Sequence, residues 1–157
     1  MATQAVMPEL EWSIEDSPAE ADVQRLADGV ISHGRALSGS DAKSIACLIR
    51  SDGKLIGGVC GRAEFNRVFI TYLWVEKSLR HQGLGSELLR RLEASAAMRG
   101  CTDAVIETLS DEVAGMYRHG GYTPLATIPN YVGTFTRHIL RKSISMDDPK
   151  IGPPSPL

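Results

Sequence analysis

Apolar and polar positions alternate along the chain in blocks that predict its elements. "LEWSIED" (10–16) alternates with a period of two, which predicts a first strand. In "SPAEADVQRLADGVISHGRAL" (17–37), Val23, Leu26, Ala27 and Val30 recur at helical spacing. Ser17 and Pro18 offer an N-cap and first helical residue, with Glu20 three residues after the cap. Gly34 and Gly39 interrupt the pattern, so 33–42 reads as a mobile loop or a short second helix. "KSIACLIRSDGKLIGGVCGRAEF" reads as a hairpin turning at Asp52-Gly53. Gly57, Gly58 and Gly61 in its second strand predict a bulge or another backbone passing close. After a turn at Asn66-Arg67, "VFITYLWV" (68–75) is apolar on both faces, as a central strand would be.

From Gly85 the stripe Leu84, Leu88, Leu89, Leu92, Ala96 predicts an amphipathic helix, with Glu87, Arg90, Arg91 and Glu93 mostly off it. Gly100 stops the helix, and "DAVIETL" (103–109) is a short buried strand. Residues 68–109 therefore read strand, glycine-rich turn, helix, strand. That is a crossover unit whose strands should be parallel, with a right-handed connection. A short helix follows over 110–121, then strands at 122–127 and 134–142. The expected organisation is one α/β (α+β) domain over 1–142, with a polar, proline-rich tail over 143–157 read as disordered.

Composition narrows the classes. Of 157 residues 43% are hydrophobic and 23% charged, as in a soluble globular domain. A formal net charge of −2 gives no global attraction to nucleic acid or to an anionic membrane, so neither is an expected partner. "MATQAVMPELEW" lacks a basic segment followed by an apolar one, and no apolar run approaches the roughly 20 residues of a span. Cytoplasm is the expected compartment. Cys47, Cys60 and Cys101 are widely spaced, with no C-x-x-C pair, so they read as buried thiols and no metal is expected.

"LRHQGLGSELL" (79–89) carries the candidate chemistry. A P-loop reading fails because no lysine precedes Ser86 in the required Gly-Lys-Ser order. A dinucleotide fingerprint lacks its third glycine, since Leu88 stands there. The glycines alone leave two readings open, a tight strand-to-helix turn or an anion site on unpaired helix N–H groups.

Arg80-His81-Gln82-Gly83-Leu84-Gly85, an R-x-x-G-x-G at the start of a long helix, resembles the acyl-CoA pyrophosphate loop of the GNAT (Gcn5-related N-acetyltransferase) superfamily. "MYRHGGYTPL" (116–125) is similar to that family's F-Y-x-x-x-G-F/Y ending, and the match covers roughly residues 10–142. The resemblance implies the GNAT fold, a mixed, mostly antiparallel sheet containing a parallel acyl-CoA unit. It implies an N-acetyltransferase that takes acetyl-CoA as acyl donor and a small-molecule or peptide amine as acceptor. Backbone of Leu73, Trp74 and Val75 would pair with the pantetheine arm where the parallel strands splay, and an N–H near Val75 would face the thioester oxyanion. Arg80, His81, Gln82, Gly83, Leu84, Gly85 and Ser86 would surround the pyrophosphate. Gly83 and Gly85 let the backbone approach phosphate oxygens. Ser110 stands where relatives often place an asparagine against CoA. Dimers are common in the family.

Tyr117 is the implied general acid for the leaving thiolate; by pattern alone it belongs to the apolar helix face of Val113 and Met116. Glu107, near the carboxyl end of its strand, is the first candidate for the base that deprotonates the amine, against the plainer reading of a solvated strand-end glutamate. Glu64 and His119 are weaker candidates, and Glu76 reads as a loop or capping residue. Thr71 and Tyr72 stand where many relatives carry an acidic residue, so a non-catalytic CoA-binding module is the alternative function. Cys101 lies about 15 residues from the loop, roughly 22 Å along the helix, which disfavours a covalent acyl-cysteine.

Overall fold

A computed structural model describes residues 8–40 and 42–147. The chain divides into two compact units, Met1–Gly39 and Ser40–Leu157. The first carries one helix, α1 (Glu20–Ser38). Residues 10–16 form no strand, which corrects the first expectation; Trp12 and Ile14 are fully or nearly fully exposed. Alternation marks two faces but supplies no pairing partner, and without one the extended segment stays a loop. The start of α1 is also corrected: its N-cap is Ala19, with no side-chain cap, so Ser17 does not serve. The helix continues through Gly34, whose cost of about 1 kcal/mol a long helix absorbs, and ends at Gly39 with φ 68°. The loop or second helix expected at 33–42 is thus mostly the end of α1.

The second unit is a six-stranded sheet with two helices. Its strands are β1 (Lys43–Ser51), β2 (Lys54–Glu64), β3 (Arg67–Val75), β4 (Asp103–Thr108), β5 (Thr123–Val132) and β6 (Phe135–Ser143), in the order β1-β2-β3-β4-β6-β5. Among the described residues only β3 and β4 pair in parallel. Helix α2 (Leu84–Met98) connects them, and α3 (Asp111–His119) follows β4. This is the mixed α/β architecture expected, with the crossover unit in place. The β1–β2 turn has Asp52 and Gly53 at φ 47° and 77°, the two positive values a type I′ turn requires.

One apolar layer joins sheet and helices. Leu88, Leu89, Leu92 and Ala96 of α2 pack over Ile45, Val59, Val68 and Ile70, with Ala104, Ile106 and Leu140 completing the layer. A leucine buried to this extent contributes about 2 kcal/mol relative to exposure. Glu93 departs from its expected place off the stripe: it is 1% exposed. The glycine-rich strand contains the bulge, between Cys60 and Gly61. A Cβ on Gly61 would overlap the Phe69 carbonyl oxygen, so only glycine allows β2 to pass β3 there.

The closing strands are longer than the pattern suggested. β5 runs to Val132 through Pro129, with a register shift between Ile128 and Val132 that accommodates the proline. β6 reaches Ser143, and buried Ile144 bonds its N–H to the Thr102 carbonyl. Residues 148–157 of the expected tail lie outside the described residues. No described helix is long and apolar enough to cross a membrane.

Candidate active site

The site begins where the parallel pair ends. β3 and β4 pair only at Arg67–Asp103, Val68–Ala104 and Phe69–Val105. On its other side β3 stays paired with β2 as far as Val75–Gly57. From Ile70 onward the β4-facing edge of β3 therefore has no ladder partner. A clamp holds the opposite end. Arg67 donates from Nε and Nη2 to the two Asp103 oxygens at 2.8 and 2.7 Å, and Arg141 Nε donates to Oδ2 at 2.7 Å. The two guanidinium partners hold Asp103 well below the usual carboxylate range, at about 2.

After Val75 the chain makes a single 3-10 turn (Lys77–Leu79) and enters α2 through the glycine loop. Arg80 Nε donates to the Val75 carbonyl at 2.9 Å, tying the loop to the strand end. His81 and Gly83 both have positive φ, 61° and 80°. The first intrahelical bond of α2 runs from Glu87 N–H to the Gly83 carbonyl, so the N–H groups of Leu84, Gly85 and Ser86 have no helical partner. Gly83, the N-cap, supplies no side-chain cap. A Cβ on Gly85 would sit 4.0 Å from Leu73 Cδ2 and Met116 Cε, so a larger side chain there would grow into the gap between β3 and α3. These features fit an anionic group lying against the helix end.

One cleft of about 540 Å³ gathers Leu73, Trp74, Val75, Arg80, His81, Gly83, Leu84, Gly85, Ser86 and Tyr117. Leu79, Glu112, Val113 and Met116 also line it, and the sequence reading did not assign them there. Val113 and Met116 precede Tyr117 by four and one residues, so the tyrosine's own helix face was the available signal. Tyr117 is 5% exposed, and burial pushes its phenol up to about 12, which keeps it protonated at neutral pH.

Three expected residues stand apart from this lining. Gln82 belongs to the loop but not to the cleft wall. Ser110 caps α3, its Oγ accepting the Val113 N–H at 3.2 Å, and lines a separate cavity of about 650 Å³ with Thr108, Asp111 and Thr134 to Thr136. Glu107 is ion-paired with Arg137, whose Nη1 also donates to the Tyr131 hydroxyl at 2.5 Å. Of the weaker candidates, Glu64 accepts from Ser40 and Arg62; Glu76, read as a loop or capping residue, faces Lys54 at 3.9 Å. Burial pushes the Cys47 and Cys101 thiols up, away from the thiolate that a covalent route needs. Among the described residues no group of three His, Cys, Asp or Glu side chains gathers to hold a metal.

The parting parallel strands, the glycine-opened start of α2 and the buried tyrosine of α3 thus border one cleft. The chain belongs to the Acetyltransferase (GNAT) family, whose model matches residues 6–122. It is similar to the blasticidin-S acetyltransferase of Streptomyces morookaense, with 37% identity over 93 residues, which are 59% of this chain and 68% of that one. An Agrobacterium tumefaciens crystal structure covers 86% of this chain and all of its own at a TM-score of 0.79 and 23% identity. A GNAT family acetyltransferase from Elizabethkingia anophelis, solved with acetyl-CoA bound, covers 84% of this chain and 95% of its own at a TM-score of 0.57 and 18% identity. At these identities the two structures bear on the fold.

Proposed function

We propose that the protein is an N-acetyltransferase that moves the acetyl group of acetyl-CoA directly to an amine. The observation that carries this reading is the single cleft joining the unpaired end of β3, the free N–H groups of Leu84 to Ser86, and Tyr117. Pyrophosphate lies against the Gly83–Ser86 backbone, and pantetheine takes the unpaired edge at Leu73 to Val75. The amine nitrogen attacks the thioester carbonyl, a C–N bond forms, and an N–H near Val75 holds the oxyanion. The C–S bond then breaks, and Tyr117 gives its phenol proton to the departing thiolate.

Glu107 serves the acceptor. Paired with Arg137 and apart from the cleft wall, it holds the amine and passes the proton on through water rather than taking it directly. The relative named for blasticidin S supports a small-molecule amine as acceptor. A peptide amine is the competing acceptor.

Acetyl-CoA turnover with blasticidin S, aminoglycosides, polyamines and peptide amines tests the proposal. At least one small-molecule amine should be acetylated, and Tyr117→Phe should lower kcat about 100-fold with little change in CoA affinity. CoA binding without acetylation of any amine would instead establish the non-catalytic module, a reading that the paired state of Glu107 and Glu64 keeps in play.

A further inference from the structure

Behind Tyr117 lies a charged cluster in which Glu93 and Tyr122 are buried and Lys142 is partly exposed. Glu93 of α2 is 1% exposed and Tyr122 is 3% exposed. Glu93 Oε1 accepts from the Tyr122 hydroxyl at 2.8 Å, and Oε2 accepts from Lys142 Nζ at 2.6 Å. The Lys142 ammonium stands 5.7 Å from the Tyr122 ring centroid. The Tyr122 ring in turn packs against Tyr117, with centroids 5.9 Å apart and planes tilted by 49°. Tyr122 N–H also donates to the Tyr117 carbonyl at 3.0 Å. Among the described residues the Tyr117 hydroxyl has no protein hydrogen bond, so ring packing sets its direction.

A buried ion pair is a poor source of stability, because well-packed apolar residues of similar volume often do as well or better. Stability alone therefore gives no reason for Glu93 and Lys142 at this place. We propose that the Glu93–Lys142 pair is a positioning device for Tyr117, a role that rests on the acetyltransferase reading. Glu93 fixes the Tyr122 hydroxyl, and Tyr122 fixes the Tyr117 ring. Lys142 balances the Glu93 charge, so the tether adds no net negative charge beside a phenol that must release a proton. Neither residue touches substrate; both act through Tyr117.

The test replaces the pair by an apolar one, Glu93→Met with Lys142→Leu, and separately removes one oxygen, Tyr122→Phe. Protein labelled with 13Cζ-tyrosine reports on Tyr117 without turnover, its signal assigned from Tyr117→Phe. Both variants should stay folded and bind CoA within twofold of the parent. Their Tyr117 signal should shift and broaden, and kcat should fall about tenfold with KM for acetyl-CoA within twofold. An unchanged Tyr117 signal and kcat in a folded variant would overturn the proposal. If the parent protein acetylates no amine, the acetyltransferase reading fails while the Tyr117 signal still decides whether the pair positions the ring. If the paired exchange does not fold, Tyr122→Phe decides by the same readouts.

Discussion

The two ends of the β3–β4 pair are built on opposite terms. At the closed end three ladder positions, the Arg67–Asp103–Arg141 clamp and the Thr102 N–H to Asn66 carbonyl bond at 2.7 Å hold the strands together. At the open end the same strands have no mutual pairing, and Glu107 turns to β6 instead. The Asp103 side chain is 7% exposed and the Glu107 side chain 41%. Concentrating cross-strand bonding at the closed end leaves β3 and β4 unpaired with each other at the other end, where α2 begins.

The largest effect is expected at the open end, on binding. Gly83→Asp places a carboxylate and a Cβ at φ 80°, against the group that should be anionic. Affinity for CoA should fall by at least about 100-fold, roughly 3 kcal/mol, in calorimetric titration. Unchanged affinity would remove the loop from the site.

A pair of isosteric changes sharpens the contrast between the ends. Asp103→Asn leaves two guanidinium groups without their carboxylate and should cost about 2 kcal/mol of stability in urea unfolding. Glu107→Gln breaks a more exposed pair and should cost less than about 1 kcal/mol. Turnover should respond in reverse, with Glu107→Gln raising KM for the amine and Asp103→Asn leaving it alone. Equal stability losses would erase the distinction.

Acid should reach the closed end by a predictable route. The folded pKa of Asp103 is about 2, below its ordinary value of 3.8. The unfolded chain therefore binds the proton first, and the clamp's contribution is complete above about pH 5. It is lost as pH falls toward 2, by roughly 2 kcal/mol. Unfolding midpoints between pH 5 and 2 should show this loss in the parent and a shallower one in Asp103→Asn.

Much of this was legible in the chain because it is local. Asp52-Gly53 marked the first hairpin, the leucine stripe marked α2, and the spacing of Arg80, Gly83 and Gly85 marked the cleft mouth. Features that depend on distant partners were not legible. Glu93 reads as a solvated helix charge until Tyr122 and Lys142, 29 and 49 positions away, fold onto it. Glu107 reads as a free strand-end carboxylate until Arg137, 30 positions on, closes against it. The alternation of Leu10, Trp12 and Ile14 is strand-like, yet a strand needs a ladder, and those residues have none.

Chemical-shift mapping of CoA on 15N-labelled protein tests the open-end site most directly. The largest backbone amide shifts should fall on Leu73 to Val75 and Gly83 to Ser86, with the Tyr117 amide also moving and residues 67–69 and 103–105 nearly still. Shifts centred on the closed end, or spread evenly over the sheet, would contradict a site made by the parting of β3 and β4.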